Sequence, residues 1–284
     1  MQARESDSGC NGKRARREGP PKARKRGHTV DNLPVWRECL NWVEYLQLKT
    51  SLVYYGFGVP HGDNSPVLVI PGLVETSLSF LEMRFWLGRI GYRVLGTGLW
   101  MNVECPEIVG ERLLKLISRD YAAHGRKVHL IGHSLGGLVA RGIAYHAPDK
   151  IASLIMLGSP FRKVRINPLV GYALDFVHDF VSTRRDCSHR NCFSLDCPCP
   201  GVTKMKGRFP SGVYETAVYS KNDGLVDWRV CINGNPKTDV EVHASHLGLR
   251  WNPEVYRVIA ERLAMARSQT KPQAKRRRKA PASA

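Results

Sequence analysis

The sequence lacks several features that would assign it to a specialised class of protein. No window contains the roughly 18 consecutive apolar residues that a membrane-spanning helix needs, and the basic N-terminus is not followed by the apolar core of a signal peptide. Internal repeats and the compositional bias of collagen, coiled coils or wholly disordered chains are also absent. We therefore expect a globular, cytoplasmic protein without a signal peptide or a transmembrane segment.

Acidic residues are scarce, because 25 Asp and Glu face 43 Lys and Arg among 284 residues, a formal net charge of +18. Residues 1–28 contain nine basic and three acidic residues, and residues 267–284 contain seven basic residues and no acidic one. Residues 29–266 between them carry only +5. We predict two disordered basic tails that would attract anionic membrane or another polyanion without specific nucleic acid recognition.

Between the tails, apolar runs typical of buried strands alternate with helical patterns, and 43% of the chain is hydrophobic. This alternation predicts an α/β fold, with a mainly parallel sheet covered by helices on both faces. A segment at about 162–212 interrupts the alternation, and we expect it to form an inserted cap. The expected strands are 67–70, 92–95, 127–131, 151–157, 213–219 and 239–243. The expected helices are 34–52, 78–90, 106–124, 135–146 and 253–267. The first of these helices is amphipathic through Trp36, Leu40, Val43, Leu46 and Leu48.

The most informative motif is Gly132-His133-Ser134-Leu135-Gly136-Gly137, which follows an expected strand and opens an expected helix. A serine on such a sharp turn takes a strained backbone conformation, and the close packing of the turn leaves room only for glycine two positions before and after it. Gly132 and Gly136 occupy those positions. The turn would expose the hydroxyl of Ser134 and direct the N–H of Leu135 at an oxyanion.

A serine hydroxyl becomes a nucleophile at neutral pH only when a base removes its proton, and a carboxylate must orient that base. In this architecture the acid and then the histidine follow the serine, each on a loop after a strand. Asp223 follows its expected strand more closely than Asp227, which we interpret as a structural or cap-side carboxylate. His246 lies in a loop, whereas His243 falls within the strand pattern. We therefore predict Ser134, Asp223 and His246 as the catalytic residues.

A second oxyanion donor is expected in the loop after an early strand. The strand 67–70 runs into Pro71-Gly72-Leu73. A glycine turn lets the following N–H approach a substrate oxygen, so Leu73 is our candidate for this donor.

Over roughly residues 66–263, these motifs in this order resemble the lipase/esterase-type α/β-hydrolase superfamily. The resemblance implies that Ser134 is the nucleophile, His246 the general base and Asp223 its orienting acid, with the N–H groups of Leu73 and Leu135 as the oxyanion hole. The family's usual early His-Gly or Gly-Gly is Pro71-Gly72 here. The motifs that carry the resemblance are Ile70-Pro71-Gly72-Leu73, Gly132-His133-Ser134-Leu135-Gly136-Gly137, Asn222-Asp223-Gly224-Leu225-Val226 and Ser245-His246-Leu247-Gly248-Leu249.

The implied activity is the hydrolysis of carboxylic esters, with an ester or lipid as substrate, through an acyl-enzyme and without a required cofactor. An acyltransferase or thioesterase could use the same triad, and a non-catalytic binding module is a third reading. Substrate identity would depend on the apolar residues of the cap. These are Leu169, Val170, Tyr172, Leu174, Phe176, Val177 and Phe180.

The expected cap contains four cysteines within a stretch of 13 residues. Their spacing, C-x4-C-x4-C-x-C, is compact enough to hold one structural zinc ion. Two disulfides or free thiols are the alternatives. The candidate ligands are Cys187, Cys192, Cys197 and Cys199, with His189 and Asp196 nearby.

Overall fold

A six-stranded, entirely parallel sheet forms the centre of the chain, in the order β2-β1-β3-β4-β5-β6. The computed structural model describes residue 30, residues 32–172 and residues 209–270, the last three of these by their backbone only. The strands are β1 (Pro66–Ile70), β2 (Arg93–Leu95), β3 (Val128–His133), β4 (Ile151–Leu157), β5 (Tyr214–Tyr219) and β6 (Asp239–Glu241).

Helices cover both faces of this sheet, which confirms the predicted α/β architecture. Side chains of α3 and α4 pack in one apolar core, and those of α2 and α5 pack in a second core on the opposite face. The three central strands show no alternation of buried and exposed residues, since all residues of β1, β3 and β4 are buried. The helices are α1 (Asn41–Thr50), α2 (Leu81–Arg89), α3 (Pro106–His124), α4 (Leu135–His146) and α5 (Pro253–Thr270).

The strand order determines which loops meet. In the parallel pairing of β1 with β3, Ile70 lies opposite Gly132, and β3 pairs in turn with β4. The loops that follow these strands therefore emerge side by side at the carboxyl edge of the sheet, where open α/β sheets bind their ligands.

Two details of the sequence interpretation are wrong. An amphipathic helix ordinarily buries its apolar side, yet Val43 and Leu46 of α1 are exposed while Glu44 is buried with Leu48. In addition, β6 ends at Glu241, so His243 lies beyond the strand that was expected to contain it.

Little of the predicted cap belongs to the described residues. Residues 168–172 are helical, and the side chains of Leu169 and Tyr172 are exposed. The cysteine cluster at 187–199 and the cap residues Leu174 to Phe180 lie outside the described residues, as do both basic tails except for residues 267–270. Among the helices that are described, none is long and apolar enough to cross a bilayer.

Candidate active site

Ser134 lies at the turn between β3 and α4 and has a left-handed backbone conformation, with φ +49° and ψ −119°. Such a conformation is strained for any residue other than glycine. Steric crowding leaves no room for a side chain at the glycines on either side of Ser134. A Cβ on Gly132 would lie 2.5 Å from the Gly136 carbonyl oxygen, and one on Gly136 would overlap the Ile70 carbonyl. The predicted nucleophile turn is therefore present in the structure.

His246 and Asp223 meet beside this turn. The ring Nδ1 of His246 donates to Asp223 Oδ2 at 2.6 Å, and Asp223 Oδ1 accepts the N–H groups of Leu225 and Val226. Both side chains are buried. Burial lowers the pKa of His246, but the charge of Asp223 and its hydrogen bond outweigh this, so the pKa is raised above 6.5.

The serine turn and the histidine loop are in contact. The N–H of Ser134 donates to the carbonyl of Leu157, and the next residue, Gly158, lies against the His246 ring, since a Cβ there would be 3.1 Å from Nδ1. Within the described part of the chain, the Ser134 hydroxyl has no hydrogen-bond partner. In free hydrolases the serine–histidine contact commonly tightens only when substrate binds.

The two expected oxyanion donors belong to the residue after Ser134 and to the loop that lies against it. Leu135 is the first residue of α4, whose leading N–H groups have no partner within the helix. The N–H of Leu73 donates to no other described residue. Gly72, next to Leu73, lies so close to Ser134 that a Cβ there would be 3.2 Å from the Ser134 Cβ. Both N–H groups are thus available near the hydroxyl.

A buried carboxylate, Glu75, holds this loop in place. Its Oε2 accepts the N–H of Gly72 at 2.6 Å and faces His133 Nδ1 at 2.8 Å, and its Oε1 accepts Arg250 Nη1 at 2.8 Å. Burial raises the pKa of Glu75, but His133 and Arg250 lower it to about 2. The sequence interpretation missed Glu75 and Arg250, because they belong to no motif and are distant in the chain.

His133 links the same loop to His246. Its Nε2 lies 3.0 Å from the backbone carbonyl of His246, and the two rings are 4.8 Å apart. A carbonyl and an ionised carboxylate both only accept hydrogen bonds. His133 therefore bridges the Glu75 carboxylate and the backbone of His246, and its ring packs beside the His246 ring.

The rejected alternatives Asp227 and His243, and the buried His129, have other partners. Asp227 is buried, caps a short helical turn through the N–H of Arg229 and pairs with Arg165. His243 is exposed and lies near Glu254. His129 bonds to a core serine, and burial lowers its pKa to about 4. None of the three contacts Ser134. Among the described residues no group of three or more His, Cys, Asp or Glu side chains could hold a metal ion.

Comparisons with known proteins match the part of the chain that contains the serine turn to one family model and to curated relatives. Residues 109–182, which include the serine turn, match the model of a PGAP1-like alpha/beta domain. Two curated relatives, triacylglycerol lipases of Pseudarthrobacter phenanthrenivorans and Burkholderia plantarii, are each 33% identical over 127 residues, or 42% of this chain. The chain spans 38% and 34% of the length of these two relatives.

Solved structures show the same fold. The monoacylglycerol lipase of Paleococcus ferrophilus superimposes with a TM-score of 0.50 at 20% identity, covering 73% of this chain and 97% of that one. A structure from work on the metagenome-derived lipolytic enzymes LipS and LipT gives a TM-score of 0.52 at 17% identity, covering 74% and 96%. The parallel sheet, the serine turn and these structural similarities show that this chain has the α/β-hydrolase fold.

Proposed function

We propose that this protein hydrolyses carboxylic esters through a serine, histidine and aspartate triad. The observation that carries the proposal is the buried His246–Asp223 pair beside Ser134, which has the strained backbone of a nucleophile turn. The lipases among its relatives and structural neighbours support an ester as the substrate.

The first half-reaction forms an acyl-enzyme. His246 Nε2 takes the proton of the Ser134 hydroxyl as Oγ attacks the ester carbonyl carbon, and Asp223 keeps the other ring nitrogen protonated. The negative charge that develops on the carbonyl oxygen is stabilised by the N–H groups of Leu73 and Leu135. The imidazolium then gives its proton to the alcohol, which leaves as the C–O bond breaks.

The second half-reaction returns the free enzyme. His246 removes a proton from water as the water oxygen attacks the acyl carbon, and the same two N–H groups stabilise the second oxyanion. The bond between the acyl carbon and Ser134 Oγ breaks, Oγ regains its proton from His246, and a carboxylic acid is released. No metal or organic cofactor takes part in these steps.

Aryl esters of graded acyl length test the proposal. We expect the wild-type protein to release the aryl alcohol steadily. An aryl alkylphosphonate should abolish this activity and leave one phosphonyl group on the peptide that contains Ser134. Rates that rise with acyl length would indicate a lipase, and activity confined to short acyl groups an esterase. Labelling of a different serine, or no labelling and no hydrolysis, would contradict the proposal.

The pH dependence of the reaction provides a second test. The base must be neutral to accept the proton, and the pKa of His246 is raised above 6.5, chiefly by Asp223 against the effect of burial. Activity is therefore expected to be full above this raised pKa and to fall as the pH drops through it. In a plot of log kcat/KM against pH, the midpoint of the acid limb should lie above 6.5; a midpoint below that value would argue against this arrangement.

A further inference from the structure

Two buried carboxylates of the N-terminal segment, defined here as residues 34–44, reach the loops that carry the acid and the base. Glu38 and Glu44 are 8% and 7% exposed. Acidic side chains are rarely buried to this extent unless hydrogen bonds or charges compensate them. Their partners therefore indicate why this segment turns its acidic side inward.

Glu38 binds both catalytic loops at once. Its Oε1 accepts the N–H of Gly224, the residue after Asp223, and the N–H of His246 itself, each at 2.9 Å. Its Oε2 accepts the N–H of Leu247 at 2.8 Å. All three partners are backbone donors, so the contact constrains the main chain of the two loops and not merely a side-chain rotamer.

Neighbouring contacts strengthen this connection. Glu44 accepts the N–H and the hydroxyl of Ser245, the residue before His246, at 2.9 and 2.6 Å. Arg37 donates to the side chain of Asn222, the residue before Asp223. The N-terminal segment thus contacts the residue before the acid, Asn222, and the residue before the base, Ser245. This segment precedes the residues on which the family resemblance rests.

We propose that Glu38 is a positioning residue of the esterase reaction, whose carboxylate joins the Asp223 loop to the His246 loop and keeps the two side chains in register. The 2.6 Å bond between His246 and Asp223 joins side chains 23 residues apart in sequence, on separate loops. Without Glu38, the loops could separate at their backbones. Misplacement of a catalytic group by about 1 Å costs on the order of 10²-fold in rate. The inference rests on the proposed function for its kinetic consequence.

The variant Glu38→Gln tests this role with little change in size. All three partners of Glu38 are N–H donors, so an amide NH2 must face at least one of them and repel it. Glu44→Gln is a matched comparison, because the Ser245 hydroxyl can accept from an amide where it now donates to the carboxylate. Glu261→Gln, an exposed residue of α5, is the control that should leave activity unchanged.

We expect Glu38→Gln to lower kcat about 10²-fold with KM within twofold of wild type, and Glu44→Gln to lower kcat less. The charged groups that raise the pKa of His246 are Asp223, Glu38 and Glu75, and Arg250 is paired with Glu75. Removing the charge of Glu38 should also lower the pKa of His246, measured by NMR titration of its ring, whereas a structural role alone would leave that pKa in place.

Wild-type kcat and an unchanged His246 titration in folded Glu38→Gln protein would overturn the inference. If that variant does not fold, Gly224→Ala disturbs the same contact from the Asp223 loop. Its Cβ would lie 2.9 Å from Glu38 Oε1 and 2.7 Å from the Pro34 carbonyl oxygen, so it would push residues 34–38 away from this loop, and the same kinetic change is expected. The NMR titration does not depend on ester turnover. A shifted titration in a protein that hydrolyses no ester would therefore refute the proposed function while supporting the role of Glu38.

Discussion

Replacement of Ser134 with alanine is expected to lower kcat/KM for aryl esters by at least ~10³-fold. The hydroxyl is the only group at the turn that can form the acyl-enzyme, and the backbone strain at φ +49° remains when Oγ is removed. The residual rate would come from His246 acting on water and from the oxyanion donors. Steady-state hydrolysis of the preferred ester, with the melting temperature of each protein, measures the effect.

Ser118→Ala is the matched control for this experiment. Ser118 is a half-buried serine of α3 whose hydroxyl accepts a hydrogen bond from Lys150, and it has no contact with the site. This variant should keep wild-type kcat/KM. If Ser134→Ala turns over ester at the wild-type rate, the nucleophile has been assigned to the wrong residue.

Replacement of Asp223 with asparagine is expected to reduce kcat by about 10⁴-fold. Asp223 Oδ1 already accepts two backbone N–H groups, from Leu225 and Val226, so the asparagine oxygen will remain there. The amide NH2 then faces His246 Nδ1 and can only donate to it. The imidazole must shift its proton to Nε2, which leaves no lone pair to accept the proton of Ser134.

Asp227→Asn separates this effect from the general cost of altering a buried carboxylate. Asp227 is as buried as Asp223 but pairs with Arg165 and caps a helical turn, away from His246. Its variant should unfold at lower temperature, because it loses a charged partner, yet keep kcat within a few-fold of wild type. The reverse ranking of the two variants in kcat would show that the acid is Asp227.

The main elements of the fold were predictable from local patterns. Strand β1 is a continuous apolar run, and α3 begins at a proline and ends before a left-handed glycine, Gly125. Both signals act over a few neighbouring residues. Boundaries were less certain where propensity alone decides, so β6 proved three residues long and excludes His243.

The site was predictable to the extent that its residues follow strands or occupy a motif. The glycines of the serine turn are demanded by local crowding, and Asp223 and His246 each come shortly after a strand of the same parallel sheet. Glu75 and Glu38 carry no such signal. Each is a lone acid in a stretch without a motif, and its role depends on partners up to 209 positions away in the chain.

The sequence by itself determined the order of strands and helices and the three residues proposed for catalysis, because turn strain, glycine spacing and strand alternation are local properties of the chain. Only the tertiary structure decided which side of residues 34–50 is buried. There the unpaired N–H groups of the two catalytic loops need acceptors, and the carboxylates of Glu38 and Glu44 supply them. Four backbone N–H groups depend on these two carboxylates, and each would cost about 1–3 kcal/mol if it were buried without a partner. The acidic side therefore faces inward, and Val43 and Leu46 remain exposed.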